Sequence, residues 1–179
     1  MCREKFPDLR LYRGNEIYGY IDAVEQMQQH EFRTLGDSNI ALVEFRNDTD
    51  YRKICNVLQA VGAAGYRPML AHAERCICLA SDVRRIYELV TMRVLIQVNA
   101  SAFRRRLFIT PVNSFVFRLM DDDLVTAVAS DAHGFNTRTP HLLYAYEAVR
   151  KRYGQAYANK VFYENPVRIL TGKYGKEEL

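Results

Sequence analysis

A recurring pattern of short apolar runs, each followed by a polar side chain, constrains the fold of this chain more than any other feature. Such runs precede Glu44, His72, Asn99 and Asp131, and a shorter stretch leads to Glu16. The polar positions recur about every 30 residues, which is the length of one strand–helix–strand unit. The pattern predicts an α/β fold, with one domain over residues 1–179 built around a parallel sheet.

The polar residues of this pattern are predicted to lie together. In parallel βα arrays the carboxyl ends of the strands meet at one edge, and the chemistry is placed there. We therefore expect one rim formed by Glu16, Glu44, His72, Asn99, Asp131 and His133. On an extended strand Asp131 and His133 would face the same side, where a carboxylate and an imidazole suit Zn, Mn or Fe. The alternative is a polar strand end with Asp131 capping the next turn.

Composition narrows the class of protein. The net charge is +4 and hydrophobic residues make up 49%, which is ordinary for a globular protein and compatible with an anionic substrate. No block of five or six like charges suggests a nucleic-acid partner. No apolar stretch approaches the roughly 20 residues of a membrane span, and the first residues lack the apolar centre of a signal peptide. The chain is predicted to be cytoplasmic, without membrane insertion.

Helices are predicted between the strands. The clearest begins at Tyr51, with Ile54, Cys55, Leu58 and Val61 at helical spacing. Others are expected over 20–32, after Ser81 or Asp82, across 101–123 with a kink or interruption at Pro111, over 141–153, and over 157–170 with a break near Pro166.

Several short motifs then appear in a specific order. They are Gly14-Asn15-Glu16-Ile17, Leu42-Val43-Glu44-Phe45, Ala71-His72-Ala73-Glu74-Arg75, Gln97-Val98-Asn99-Ala100, Ser130-Asp131-Ala132-His133 with Thr137-Arg138, and Glu164-Asn165-Pro166. From about Leu9 to about Leu170 the chain resembles the bacterial PHP-class (polymerase and histidinol phosphatase) tyrosine phosphatases of capsular and exopolysaccharide synthesis. The resemblance implies a distorted, TIM-like (β/α)₇ barrel with divalent ions on its rim, manganese first, with iron or zinc as alternatives.

The resemblance also implies roles for individual residues. Metal ligands would be Glu16, which bridges ions, together with Glu44, His72, Asp131 and His133. Arg75 and Arg138 would bind the substrate phosphate, for which a planar guanidinium is suited. The implied reaction is metal-dependent hydrolysis of phosphotyrosine in a protein, and the implied substrate is the tyrosine kinase that controls polysaccharide synthesis. The alternatives are a salt bridge to a neighbouring glutamate for Arg75 and a solvated position for Arg138.

The chain also departs from the family pattern. The family begins with a strand that carries a His-x-His pair and a second strand with another histidine, whereas the four histidines here are His30, His72, His133 and His141. We therefore expect an N-terminally truncated, partial barrel without the first two strands, fewer bound ions and weak activity. Its open edge would be covered or paired, for example in a homo-oligomer. Alternatives are an inactive or weakly active fragment that only binds partners, and a small-molecule phosphatase of the histidinol phosphatase type. The Thr137-Arg138 pair favours the tyrosine phosphatase branch.

Two cysteine-based sites are disfavoured. Cys78 and Arg84 have the spacing of thiol-based tyrosine phosphatases, but the residues between them contain no glycine and place Asp82 inside the supposed anion pocket. Cys76 and Cys78 lie near His72, yet two thiols are too few for a closed structural zinc site.

Overall fold

Five parallel strands form one sheet in chain order. The computed structural model describes residues 8–20, 25, 29, 32–104, 111–134, 136 and 138–175. The strands are β1 (Glu16–Tyr18), β2 (Ile40–Glu44), β3 (Arg67–Leu70), β4 (Leu95–Asn99) and β5 (Ala127–Ala129). Each pairs in parallel with the next. The predicted α/β architecture with a parallel sheet is therefore confirmed, while the partial barrel lacking two strands stays a prediction.

The helices fall between and after the strands. They are α1 (Tyr51–Ala63), α2 (Ile77–Ala80), α3 (Arg84–Thr91), α4 (Pro111–Asp121), α5 (Leu143–Tyr153), α6 (Gln155–Asn159) and α7 (Asn165–Leu170). Two short 3₁₀ helices span Ala73–Arg75 and Ala100–Phe103, and a π-helix spans Lys160–Glu164. None of the helices in the described ranges has the combined length and apolar character needed to cross a membrane.

Both faces of the sheet are covered, because successive side chains along a strand point into two different cores. In β2, Ala41 and Val43 join the main core with the buried face of α1, whereas Ile40 packs on the opposite, inner face. The inner core is smaller and consists of Ile40, Met69, Leu95, Ala127 and Ile169, the last contributed by α7. Burial on both faces explains why the strands appear in the sequence as continuous apolar runs.

The clearest helix of the sequence is α1, and it forms where predicted. Ile54, Leu58 and Val61 are buried on one face. The side chain of Asp50 accepts a hydrogen bond of 2.8 Å from the amide of Arg52, which satisfies one of the free donors at the helix start.

The structure refines one helix prediction and leaves two others untested. α4 extends over Pro111–Asp121. Residues 105–110 lie outside the described ranges, so the predicted kink or interruption at Pro111 stays a prediction. The break near Pro166 is a π-helix that ends at Glu164 and leads into α7. The predicted helix over 20–32, with His30, lies largely outside the described residues.

Two strand predictions also need correction. Glu16 begins β1 and does not follow a strand that precedes it. β5 ends at Ala129, and Asp131 has a left-handed backbone with φ of 51°, so Asp131 and His133 do not lie on an extended strand. The alternation argument therefore fails for this pair, although other contacts bring the two side chains together.

Leu70→Ala is expected to lower the free energy of unfolding by about 2–5 kcal/mol, because Leu70 is fully buried in the central strand β3. Leu143→Ala makes the same chemical change at a side chain that is 65% exposed, and should change it by less than about 0.5 kcal/mol. Urea denaturation of both variants provides the measurement. Equal losses would contradict the packing described above.

Candidate metal and phosphate site

Three ligand-type side chains converge beyond the carboxyl end of β3. His72 Nε2 lies 3.1 Å from Glu16 Oε1 and 3.3 Å from Glu44 Oε2. The register explains this convergence, since Glu16 pairs with Leu42 in β2 and Glu44 follows Leu42 by two residues on the same side of the sheet. The ligand atoms all lie within 4.8 Å of one another. We call Glu16, Glu44 and His72 the triad.

The triad fits a divalent metal ion by its donor chemistry. Two carboxylate oxygens and one imidazole nitrogen suit Mn, Fe or Zn. His72 Nδ1 is buried and has no hydrogen-bond partner in the part of the chain that the structure describes, so Nε2 is the ring atom directed at the carboxylates. Burial acts to lower the pKa of His72, but the hydrogen bond and charge of Glu16 outweigh it and raise that pKa. A proton therefore competes with a cation at this nitrogen.

A second cluster forms around Asp131. Its Oδ2 accepts hydrogen bonds from Arg75 at 2.6 Å, from Asn99 at 2.9 Å and from the Arg138 guanidinium. Its Oδ1 lies 3.1 Å from His133 Nε2. Burial opposes ionisation, yet the bonds from Arg138 and His133 and the charge of Arg75 lower the pKa of Asp131 to about 2. The cluster therefore holds two arginines beside one ionised carboxylate.

The left-handed backbone of Asp131 is part of how this cluster forms. Arg138 is left-handed as well, with φ of 49°, and its carbonyl accepts a 2.9 Å hydrogen bond from the amide of His133. The segment thus folds back so that Arg138, seven residues on, meets Asp131. Thr137, which the sequence pairs with Arg138, lies outside the described residues.

The two clusters share one side of the sheet. A cavity of about 250 Å³ is lined by Glu16, His72, Gln97 and Asp131 and by apolar side chains of the inner core. The predicted rim is thus present, but its members are divided between the triad and the cluster around Asp131. The structure does not place Asp131 and His133 in the triad, and their roles as metal ligands stay predictions. Arg75 forms an ion pair with Asp131, and Arg138 pairs with the same carboxylate while its side chain stays 43% exposed. The phosphate-binding roles of both arginines stay predictions.

Two residues near the site were not identified from the sequence. Glu74 is 5% exposed, and burial raises its pKa to about 7. Gln97 is buried and accepts a 2.7 Å hydrogen bond from the amide of His72. A signal for Gln97 was available, because a polar residue inside the apolar run of β4, two positions before Asn99, must face the same side as Asn99.

The cysteine alternatives find no support in this geometry. Cys78 lies on α2, and burial raises its pKa, which is the opposite of what a thiolate nucleophile requires. Arg84 is bound by Asp82 at 2.9 Å. Within the described ranges, the triad is the one group of at least three His, Cys, Asp or Glu side chains that could hold a metal ion, and it contains no cysteine.

Comparisons with known proteins place this arrangement in context. The tyrosine-protein phosphatase CpsB of Streptococcus pneumoniae is 34% identical over 174 residues, which cover 95% of this chain and 72% of that protein. The CpsB phosphatase of Streptococcus agalactiae is 31% identical over 177 residues, covering 97% and 73%. A solved structure from work on YwqE of Bacillus subtilis and CpsB of S. pneumoniae, described as unique metal-dependent tyrosine phosphatases, superposes with a TM-score of 0.81 at 26% identity. It covers 96% of this chain and 68% of that one.

A family description also matches most of the sequence. It is that of capsular polysaccharide synthesis, CpsB/CapC, and the match extends over residues 1–171. This range contains both clusters of the site. The chain therefore belongs to the CpsB/CapC family of capsular polysaccharide synthesis.

Proposed function

We propose that this chain is a metal-dependent protein-tyrosine phosphatase, acting on phosphotyrosine in a protein of capsular or exopolysaccharide synthesis. The observation that carries the proposal is the position of two arginines, both held by Asp131, beside a triad able to bind a divalent ion. The names of the relatives support the same activity. Among possible protein substrates, a bacterial tyrosine kinase is the one that the family context favours.

The arginines are proposed to bind the phosphate. A guanidinium offers five N–H donors, and Asp131 engages one terminal nitrogen of Arg75 and one of Arg138. The remaining donors can reach phosphate oxygens, while Asp131 keeps both groups at the rim. Their charge then stabilises the negative charge that develops on phosphate during transfer.

The triad is proposed to hold the ion. Glu16 and Glu44 would contribute carboxylate oxygens and His72 would contribute Nε2. Manganese is our first choice, because carboxylate-rich sites with one imidazole suit it, with iron or zinc as alternatives. A divalent ion at such a site supplies an activated water as nucleophile at neutral pH and neutralises phosphate oxygens. His133 and Asp131 as ligands of a further ion, a homo-oligomer and a cytoplasmic location stay predictions.

The test compares three phosphate esters with the purified chain. A phosphotyrosyl peptide, a phosphoseryl peptide and histidinol phosphate are incubated with and without Mn²⁺, and released phosphate is measured. We expect Mn²⁺-dependent release that is fastest from phosphotyrosine and is abolished by a chelator. Preferential hydrolysis of histidinol phosphate would favour the small-molecule alternative. Binding of the phosphotyrosyl peptide without phosphate release at saturating Mn²⁺ would favour the binding-only alternative.

A further inference from the structure

A continuous line of buried amide groups joins the triad to Asp131. Gln97 Oε1 accepts from the His72 amide at 2.7 Å, and Gln97 Nε2 donates to Asn99 Oδ1 at 2.9 Å. Asn99 Nδ2 then donates to Asp131 Oδ2 at 2.9 Å. Gln97 and Asn99 are 7% and 0% exposed, and both lie in β4. We call Gln97 and Asn99 the amide relay.

The direction of the relay is fixed at both ends. The group of His72 that meets Gln97 is the backbone N–H, which can only donate, so Gln97 presents its oxygen to it and its NH₂ group to Asn99. Asn99 must then present its own oxygen to Gln97, which leaves its NH₂ group for the carboxylate of Asp131. Each amide therefore has one orientation that satisfies its neighbours, and a second backbone donor bond, from the Asn99 N–H to Glu74, holds the strand end in place.

Both ends of the relay are residues with unfavourable backbone conformations. His72 has φ of 33° and Asp131 has φ of 51°, values that non-glycine residues seldom adopt and that persist only where surrounding contacts enforce them. Gln97 holds the amide of His72, and Asn99 holds the carboxylate of Asp131. The relay therefore supports two residues whose backbone conformations depend on outside contacts.

We propose that Gln97 and Asn99 are positioning residues that couple the triad to the phosphate-binding arginines. Gln97 fixes the turn that directs His72 Nε2 at the two glutamates. Asn99 fixes the Asp131 carboxylate on which Arg75 and Arg138 converge. Because hydrogen bonds in a chain polarise one another, a change at Asn99 is transmitted through Gln97 to the amide of His72. The inference rests on the proposed function, in which His72 binds the metal and the arginines bind phosphate.

The first test uses the metal-free protein, so that it does not depend on activity. In ¹H–¹⁵N NMR spectra, Gln97→Met should move the His72 amide proton resonance upfield, because the amide loses its acceptor. Asn99→Leu should move it in the same direction by a smaller amount. Asn165→Leu is the matched control, since Asn165 is 7% exposed, as Gln97 is, and donates to the carbonyl of Thr126, outside the relay. An unmoved His72 resonance in Asn99→Leu would overturn the coupling.

The second test measures Mn²⁺ affinity by calorimetry. Loss of an outer-shell partner typically costs 10- to 100-fold in metal affinity, and we expect a loss of about that size for Gln97→Met. Asn99→Leu should also weaken binding, and the double variant should lose less than the product of the single losses, because the two residues act through one chain of bonds. Asn165→Leu should keep the parent affinity even if its midpoint of unfolding falls. Parent-like affinity in Gln97→Met would overturn the proposal, whereas a parent protein that fails to hydrolyse phosphotyrosine would contradict only the proposed function.

Discussion

His72→Ala is expected to remove Mn²⁺ binding at the triad and to reduce phosphotyrosine hydrolysis to background. Nε2 is the one nitrogen donor of the triad and lies within 3.3 Å of both carboxylates. Without it two carboxylates remain, so an ion at the triad loses one of its three protein ligands and the imidazole that helps to fix the site's geometry. The loss of affinity should exceed the roughly 10- to 100-fold that removal of an outer-shell partner causes. Calorimetric titration with Mn²⁺ and a phosphotyrosyl-peptide assay measure the two effects.

His141→Ala is the matched control for this prediction. His141 is exposed and precedes α5, so its removal should change neither Mn²⁺ affinity nor turnover. Circular dichroism checks that both variants are folded, because His72 is buried whereas His141 is not. If His72→Ala is folded and binds Mn²⁺ as tightly as the parent, then the triad is not the metal site.

Arg138→Ala is expected to lower kcat for phosphotyrosine hydrolysis by about 10²–10³ while Mn²⁺ affinity stays within about threefold of the parent value. Removing one donor that stabilises developing charge costs an enzyme about this much. Arg138 binds Asp131, which lies outside the triad, so the metal site should remain. Arg138→Lys should recover only part of the rate, since an ammonium keeps the charge but not the planar fork. Steady-state kinetics and calorimetry on the same preparations provide the comparison.

The control for Arg138 is another arginine in an exposed ion pair. Arg150 binds Glu147 on α5, and both side chains are 47% exposed. Arg150→Ala removes a guanidinium of similar exposure whose ion pair lies outside the two clusters, and it should leave kcat unchanged. If Arg138→Ala loses metal in proportion to its loss of rate, the role of Arg138 is to maintain the site and not to bind phosphate.

Much of the fold was predictable because it follows from local pattern. Parallel strands are buried on both faces, so they appear in the sequence as apolar runs. The change from apolar to polar residues marks where β2 and β4 end, at Glu44 and Asn99. The helix α1 was predictable because four buried residues recur at helical spacing. The convergence of Glu44 and His72 followed from the same repeat, whereas Glu16 begins its strand and reaches them through its pairing with Leu42.

The cluster around Asp131 was less predictable because it depends on contacts between distant residues. Arg75 meets Asp131 across 56 positions, and Asn99 meets it across 32. These contacts hold a left-handed backbone that strand alternation cannot anticipate. Likewise, nothing in the local sequence indicated that Gln97 would bind the amide of His72, since that bond depends on the pairing of β3 with β4.

The most direct test of the central claim is an anomalous diffraction map from crystals of the protein soaked in Mn²⁺, recorded above the manganese absorption edge. The account predicts an anomalous peak between Glu16, Glu44 and His72, in contact with both carboxylates and with Nε2. A saturating soak that leaves this position without a peak, or that places manganese only at other residues, would contradict the assignment of the triad as the metal site.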